Sequence, residues 1–250
     1  MGVYDDFALL YAKGRYPEYS LQISNIFLPL IRQFGCTPQT LLDLACGEGT
    51  FAVKMAKQGI QVTGVDRSQQ MLNFAETKSH HEKVQITWRK LDIREIDYSS
   101  AFDVITCWFD SLNYLLELDH LCQTFQLVRK ALRKDGLFIF DMNTIFWLAT
   151  LAKRYACSVE RDIDDIFQVH RHFYDDERNI ATFKITGFIK EEGWWLRRVD
   201  ETHHERGYTL DEIRTCIKKA GLTELACYGN LTDQTPWAPE SRRLFFISQR

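Results

Sequence analysis

From about residue 40 to residue 143, apolar runs of strand length alternate with stretches of helical spacing, and this alternation constrains the fold more than any other feature of the chain. LLDLAC (41–46) is a strand-like run that stops at Gly47 and Gly49, and TFAVKMAKQG (50–59) follows with helical periodicity and a closing glycine. IQVTGVD (60–66), VQITWRKLD (84–92), AFDVITCWFD (101–110) and LFIFDMN (137–143) read as further strands. Ser68 is placed to cap a helix over QQMLNFAETK, and a helix around 119–133 leads to a turn at Asp135-Gly136. Strand, helix and strand repeated in this way require a parallel sheet covered on both faces, with ligands gathered at the carboxyl ends of its strands.

The pattern then changes. Residues 157–206 are rich in Val, Ile, Thr, Phe and Trp, with turn signals at 175–179 and 190–193, and they predict three antiparallel strands at about 157–174, 180–190 and 194–204. Trp194 and Trp195 are expected to pack that sheet. Helical spacing returns at 209–221, where Thr209 and Glu212 form a T-x-x-E capping box and Gly221 is a C-cap, before two last strands at 223–230 and 242–250. The expected fold is α/β: a doubly wound, mostly parallel seven-stranded Rossmann-like sheet, with an antiparallel β insert before the last helix. Residues 1–156 and 205–250 would form the main domain with a helical leader, and 157–204 the insert covering the substrate side.

Charge narrows the partners. The 31 basic and 34 acidic side chains leave a formal −3, which gives no general attraction to nucleic acid or to an anionic membrane. The seven cysteines are odd in number and dispersed, without a C-x-x-C pair, so neither a disulfide framework nor a thiolate zinc site is expected. The first residues carry two acids and no uninterrupted apolar run, unlike an export signal. A reducing cytoplasm is the expected location; nothing in the sequence sets the oligomeric state.

The glycine turn carries the chemistry. Gly47-x-Gly49-x-x-Ala52 follows a strand and opens a helix, the setting in which G-x-G-x-x-G/A holds a nucleotide cofactor, and Asp66 ends the second strand where a ribose carboxylate would stand. A dinucleotide would bring an anionic pyrophosphate to this helix start, whereas S-adenosylmethionine (SAM) brings a sulfonium and an ammonium group. Asp43 and Glu48 flank the turn, and no Arg or Lys lies between 33 and 53. The negative surroundings favour SAM.

With these motifs the sequence resembles the class I SAM-dependent methyltransferases over about 4–143 and 205–250. LLDLACGEGTFA is similar to the family's D-x-x-C-G-x-G loop, GVDRSQQML to its ribose segment, LDIREID to its adenine segment, and FDVITCWFDSLNYL to its fourth strand and acceptor loop. Within the family, Tyr4-x-x-Phe7-Ala8-x-x-Tyr11, the cluster Cys107-Trp108-Phe109-Asp110-Ser111 and the β-rich insert resemble the group of glycine and sarcosine methyltransferases and deoxysugar amine dimethyltransferases. The resemblance implies a SAM cofactor held by Tyr11, Asp43, Ala45, Cys46, Gly47, Gly49, Asp66, Arg67, Met71, Asp92, Ile93, Cys107 and Trp108. Asp43 would take the ammonium, Asp66 the ribose hydroxyls, and Asp92 with the Ile93 N–H the adenine.

The expected reaction is methyl transfer to a small-molecule acceptor, an amine in preference to a hydroxyl. The rival classes are an NAD(P)-dependent oxidoreductase and a non-catalytic SAM-binding protein. Tyr16, Asp110, Asn113, Tyr114, Asn143 and His204 are the expected acceptor contacts. His204 and Asp110 would receive the amine's proton, with Tyr11 and Tyr114 orienting the acceptor; the sugar-amine relatives carry a histidine where this chain has Tyr114. His170 and His172 alternate onto one strand face, where a polar surface is expected rather than a metal.

Overall fold

Neighbouring residues in the central strands face opposite ways, and that period of two sorts the core into layers. A computed structural model describes Tyr4 and residues 7–14, 16–163, 165–191 and 194–250, apart from the side chains of Lys13 and of 191–197. The expected packing of Trp194 and Trp195, and part of the turn at 190–193, lie outside the described residues. β1 (Thr40–Leu44), β2 (Gln61–Asp66), β3 (Thr87–Lys90), β4 (Phe102–Cys107) and β5 (Leu132–Asn143) run parallel. Leu42, Leu44, Ile105, Phe138 and Phe140 pack with α5 (Leu118–Ala131) and α7 (Leu210–Ala220). Leu41, Val104, Leu137 and Ile139 pack on the other side with α2 (Tyr16–Arg32) and α3 (Thr50–Lys57).

The chain closes the sheet with antiparallel β10 (Thr223–Asn230) and β12 (Arg243–Gln249), in the order β10-β12-β5-β4-β1-β2-β3. A two-residue strand, β11 (Thr235–Pro236), pairs outside β10 and makes eight strands where seven were expected. α4 (Gln69–His81) starts on Ser68, whose hydroxyl accepts from the Met71 N–H, and α7 starts on the full Thr209–Glu212 capping box and ends at Gly221 with φ +74°. One expected turn dissolves. Asp135, at φ +62°, and Gly136 lie inside β5, where pairing with β4 slips between Phe102 and Val104, so the dipeptide makes a bulge rather than a strand entry.

The insert contains four antiparallel strands instead of three: β6 (Cys157–Ile163), β7 (Ile166–Asp175), β8 (Ile180–Glu191) and β9 (Trp194–Arg206). The expected first strand breaks between Ile163 and Ile166, where Asp165 lies in a turn that the apolar pattern on either side obscured. β9 also runs two residues past the expected boundary at 204. Phe183, Ile185, Ile189 and Val199 of this sheet form a third core with Phe7, Ala8 and Leu10 of the leader, which includes α1 (Ala8–Lys13), and with Leu148 of α6 (Ile145–Arg154).

The cysteines depart from expectation at one place. Cys122 of α5 and Cys216 of α7 form a disulfide across 94 residues of sequence. The two helices share one face of the sheet, a proximity that residue spacing does not reveal. Among the described residues, no helix is long and apolar enough to cross a membrane.

Candidate cofactor and acceptor site

A cavity of about 400 Å³ opens at the carboxyl ends of β1, β2 and β4. Its wall contains Tyr11, Asp43, Ala45, Cys46, Gly47, Asp66, Arg67, Met71, Asp92, Ile93 and Trp108, eleven of the thirteen positions expected to hold the cofactor. Gly49 and Cys107 stand back from it. Gly49, at φ +80°, lies so close to α4 that a Cβ would come within 2.8 Å of Ala75 and Trp88, so it serves packing instead of ligand approach. Cys107 is fully buried in the sheet core.

The chemistry of the wall suits a cation. Asp43 is 2% exposed and accepts from Thr106 Oγ1 at 2.8 Å; burial, assisted by the nearby Asp66 carboxylate, pushes its pKa up to about 7. Such a carboxyl gains a counterion when a positive group enters. Asp66 receives the backbone N–H groups of Gly47 and Ser68, each at 2.8 Å, so the residue expected at the ribose also holds the glycine turn in shape. Glu48 is less free than its position suggested, since it is buried against Lys78 and accepts from Thr50 Oγ1. That cation arrives from α4, outside the stretch whose lack of basic residues was noted. Asp92 is held by Arg94 in a two-pronged ion pair of 2.9 and 2.8 Å, which pulls its carboxyl below the usual range. These partners leave Asp92 to share any adenine contact with Arg94, which also faces the cavity.

The expected acceptor residues separate into two sets. Tyr114 lines the cavity. Tyr16 stands behind Tyr11, ring stacked on ring at 4.6 Å, with its hydroxyl bonded to Gln168. Asp110 is ion-paired to Arg243 at 2.8 Å. Asn113 spends its whole amide on backbone, donating to the carbonyls of Asn143 and Arg206 and accepting from the Asn143 N–H. Asn143 in turn donates to Glu205 at 2.8 Å. Asp110, Asn113 and Asn143 do not line the cavity; they tie the post-β4 loop to β5, β9 and β12. The loop itself is strained, with Phe109 and Asp110 both at positive φ (59° and 55°).

His204 is a correction. It is exposed on the outer face of β9 with Nδ1 near Thr182 Oγ1 at 3.0 Å, so it cannot serve the cavity. Its neighbour His203 points inward, is 2% exposed, and joins a hydrogen-bonded run that starts at the cavity wall. Tyr114 Oη lies 2.8 Å from His203 Nδ1, and His203 Nε2 lies 2.9 Å from Glu201. Burial pushes the Glu201 carboxyl up, but His203 and the backbone N–H groups of Tyr4 and Phe7 more than offset it and hold the group below its usual range. An ionised Glu201 places a proton on Nε2 and leaves the Nδ1 lone pair to accept from Tyr114.

Sequence reasoning missed His203, Glu201, Glu205 and the buried pair Arg243–Asp141. Arg243 also lies over the Tyr19 and Phe109 rings at 5.3 and 5.5 Å. The alternation of β9 places residues 199, 201, 203 and 205 together on one face, but the sequence does not say which face turns inward.

Known proteins resemble the chain in sequence and in fold. A methyltransferase-domain family model matches residues 41–136. A protein of Geobacillus sp. (strain WCH70) that bears a methyltransferase designation is 31% identical over 221 residues, 88% of each chain. A ubiquinone biosynthesis O-methyltransferase of Histophilus somni (strain 2336) is 30% identical over 169 residues, 62% of this chain and 69% of that one. Among solved structures, a SAM-dependent methyltransferase from Clostridium acetobutylicum superposes with a TM-score of 0.85 at 25% identity, covering 99% of both chains. SAM-bound CalS10, an amino pentose methyltransferase from Micromonospora echinaspora, has the same fold, with a TM-score of 0.70 at 18% identity over 100% of this chain and 97% of that one.

Proposed function

The chain belongs to the class I SAM-dependent methyltransferases, and from that premise we propose that its acceptor is a small-molecule amine whose proton leaves through Tyr114 and His203. The cofactor supplies a methyl group already activated by a sulfonium; the protein must orient the acceptor and provide for its proton. A protonated amine has no lone pair to attack with.

The observation that carries the reading is the run Tyr114–His203–Glu201, which reaches the cavity at Tyr114. Tyr114 can accept a hydrogen bond from the amine while donating its own proton toward His203 Nδ1, and the imidazolium so formed is stabilised by Glu201. The logic is that of a base oriented by a third group. The amino pentose named for a structural neighbour is an amine acceptor of the kind proposed. His204, by contrast, has no part in the proposal.

Turnover read as S-adenosylhomocysteine release across a panel of amino sugars, amino acids and simple amines is the test, with hydroxylated analogues lacking the amine as the comparison. Amines are expected to support turnover and their hydroxyl counterparts not to. The kcat/KM for an amine should rise with pH to a plateau. Turnover confined to phenols or alcohols would overturn the amine reading and leave the methyltransferase assignment intact.

Cofactor binding has its own expectation. Asp66→Ala removes the carboxylate that faces the cavity and also frees the Gly47 N–H, and should weaken SAM binding by about 1.5–3 kcal/mol. Isothermal calorimetry on a variant whose melting temperature is known separates loss of affinity from loss of fold.

A further inference from the structure

Glu160, His170 and His172 meet on the insert, with one ligand-type atom from each lying within 4.8 Å of the others. The sequence places His170 and His172 two residues apart on β7, so both project from the same face. Glu160 joins them through a slip in pairing. Ser158 stands opposite His170, but the register shifts between Val159 and Arg161, leaving Glu160 as the extra residue of a bulge, a device that re-aims the bulged side chain.

The rings are held from behind. His172 Nδ1 lies 2.5 Å from the Tyr155 carbonyl, which can only accept, so Nδ1 carries the proton and the lone pair is on Nε2. His170 Nε2 lies 2.5 Å from Gln168 Nε2, which also donates to Tyr16 Oη at 2.8 Å, and the two ends of that amide can be exchanged. An amide turned with its oxygen toward Nε2 accepts that ring's proton and leaves the lone pair on Nδ1. Backbone carbonyls and amides in this position orient metal-binding imidazoles and raise their basicity.

We propose that Glu160, His170 and His172 form a binding site for a divalent transition-metal ion of the zinc class, which pins edge strand β6 to β7. Two imidazoles and one carboxylate are a donor set for zinc and its first-row neighbours, with a fourth position left to water on the exposed Glu160 side. Ligands around one zinc stand roughly 3.5 Å apart for bond lengths of about 2.0–2.2 Å. Rotation of the exposed Glu160 side chain closes the remaining gap. The ion would also fasten the end of α6 to the sheet, because Tyr155 follows that helix and supports His172.

The test is titration of the untagged, metal-free full chain with zinc chloride by calorimetry, with cobalt(II) chloride used in parallel for its visible d–d absorption. One equivalent is expected to bind saturably and to raise the melting temperature, as a ligand of the folded state must. His170→Asn and the exposed Glu160→Gln should each lower affinity at least about tenfold and diminish the melting shift, while Cys157→Ser leaves both unchanged. Absence of saturable binding would overturn the proposal. So would wild-type affinity in both His170→Asn and Glu160→Gln, or loss of the site in Cys157→Ser.

Discussion

Replacing His203 with alanine is expected to lower turnover about 10²–10⁴-fold, the range for removing a positioned general base, with little change in SAM affinity. The imidazole meets the cavity wall at Tyr114, by a hydrogen bond, and at Tyr4, edge to face at 4.9 Å, and neither is among the residues expected to hold the cofactor, so the loss should fall on kcat for the amine rather than on the cofactor's dissociation constant. His204→Ala serves as the matched comparison, since that ring is exposed and bonded to Thr182, and it should leave turnover unchanged. A His203→Ala enzyme with full activity at every pH would make the Tyr114–His203–Glu201 run structural and send the proton to water. Stopped-flow or discontinuous S-adenosylhomocysteine assays between pH 6 and about 9 cover the range in which a histidine relay would show itself.

The second large effect concerns Asp43 and has a sign that can be worked out. In the free protein its carboxyl titrates at about 7. A cationic cofactor favours the ionised form and lowers that pKa in the complex, so binding releases a proton and affinity falls as pH drops below 7. The decline should approach tenfold per pH unit until the pKa of the complex is reached. Asp43→Asn abolishes the pH dependence and should raise the dissociation constant by about 10–100-fold, the loss of a hydrogen-bonded charge contact. The same shift works against the unliganded fold. The folded chain holds this proton more tightly than the unfolded chain, so the contribution of Asp43 to stability declines as pH rises from its unfolded value through about 7. SAM therefore should raise the melting temperature more at pH 8 than at pH 6. Calorimetry in buffers of different ionisation enthalpy counts the released proton directly.

The layered fold was legible because both of its periods are strong. Leu41 against Leu42, and Phe138 against Ile139, state in adjacent letters which residue faces which helix pair. The cavity wall was legible for a related reason: a parallel sheet must place Asp43 and Asp66 at the same end, and the glycine turn lies between them in sequence. The acceptor side was not. On β9, Arg198, Asp200, Thr202 and His204 face out while Val199, Glu201, His203 and Glu205 face in, so both faces are polar and hydrophobic alternation supplies no phase. A shift of one residue then exchanges a buried histidine for an exposed one.

Asn113 and Asn143 mark a second limit. Polar residues after a strand suggest a binding loop, but sequence does not show that another part of the chain has already taken their hydrogen bonds. The Cys122–Cys216 bridge is hidden for the same reason, since only the packing of α5 on α7 brings its ends together.

The leader is fastened by Glu201, which receives the N–H groups of Tyr4 and Phe7 at 2.9 and 2.7 Å while Tyr4 and Tyr11 form part of the cavity wall. The carboxylate that orients the histidine is thus also the clasp of the cover. If the leader lifts for cofactor exchange, it breaks two charge-assisted hydrogen bonds and parts Phe7 and Leu10 from the insert. Departure of S-adenosylhomocysteine should then set the pace of the catalytic cycle, and a burst in the first turnover, followed by a slower steady state, is the kinetic form such a clasp gives to an enzyme.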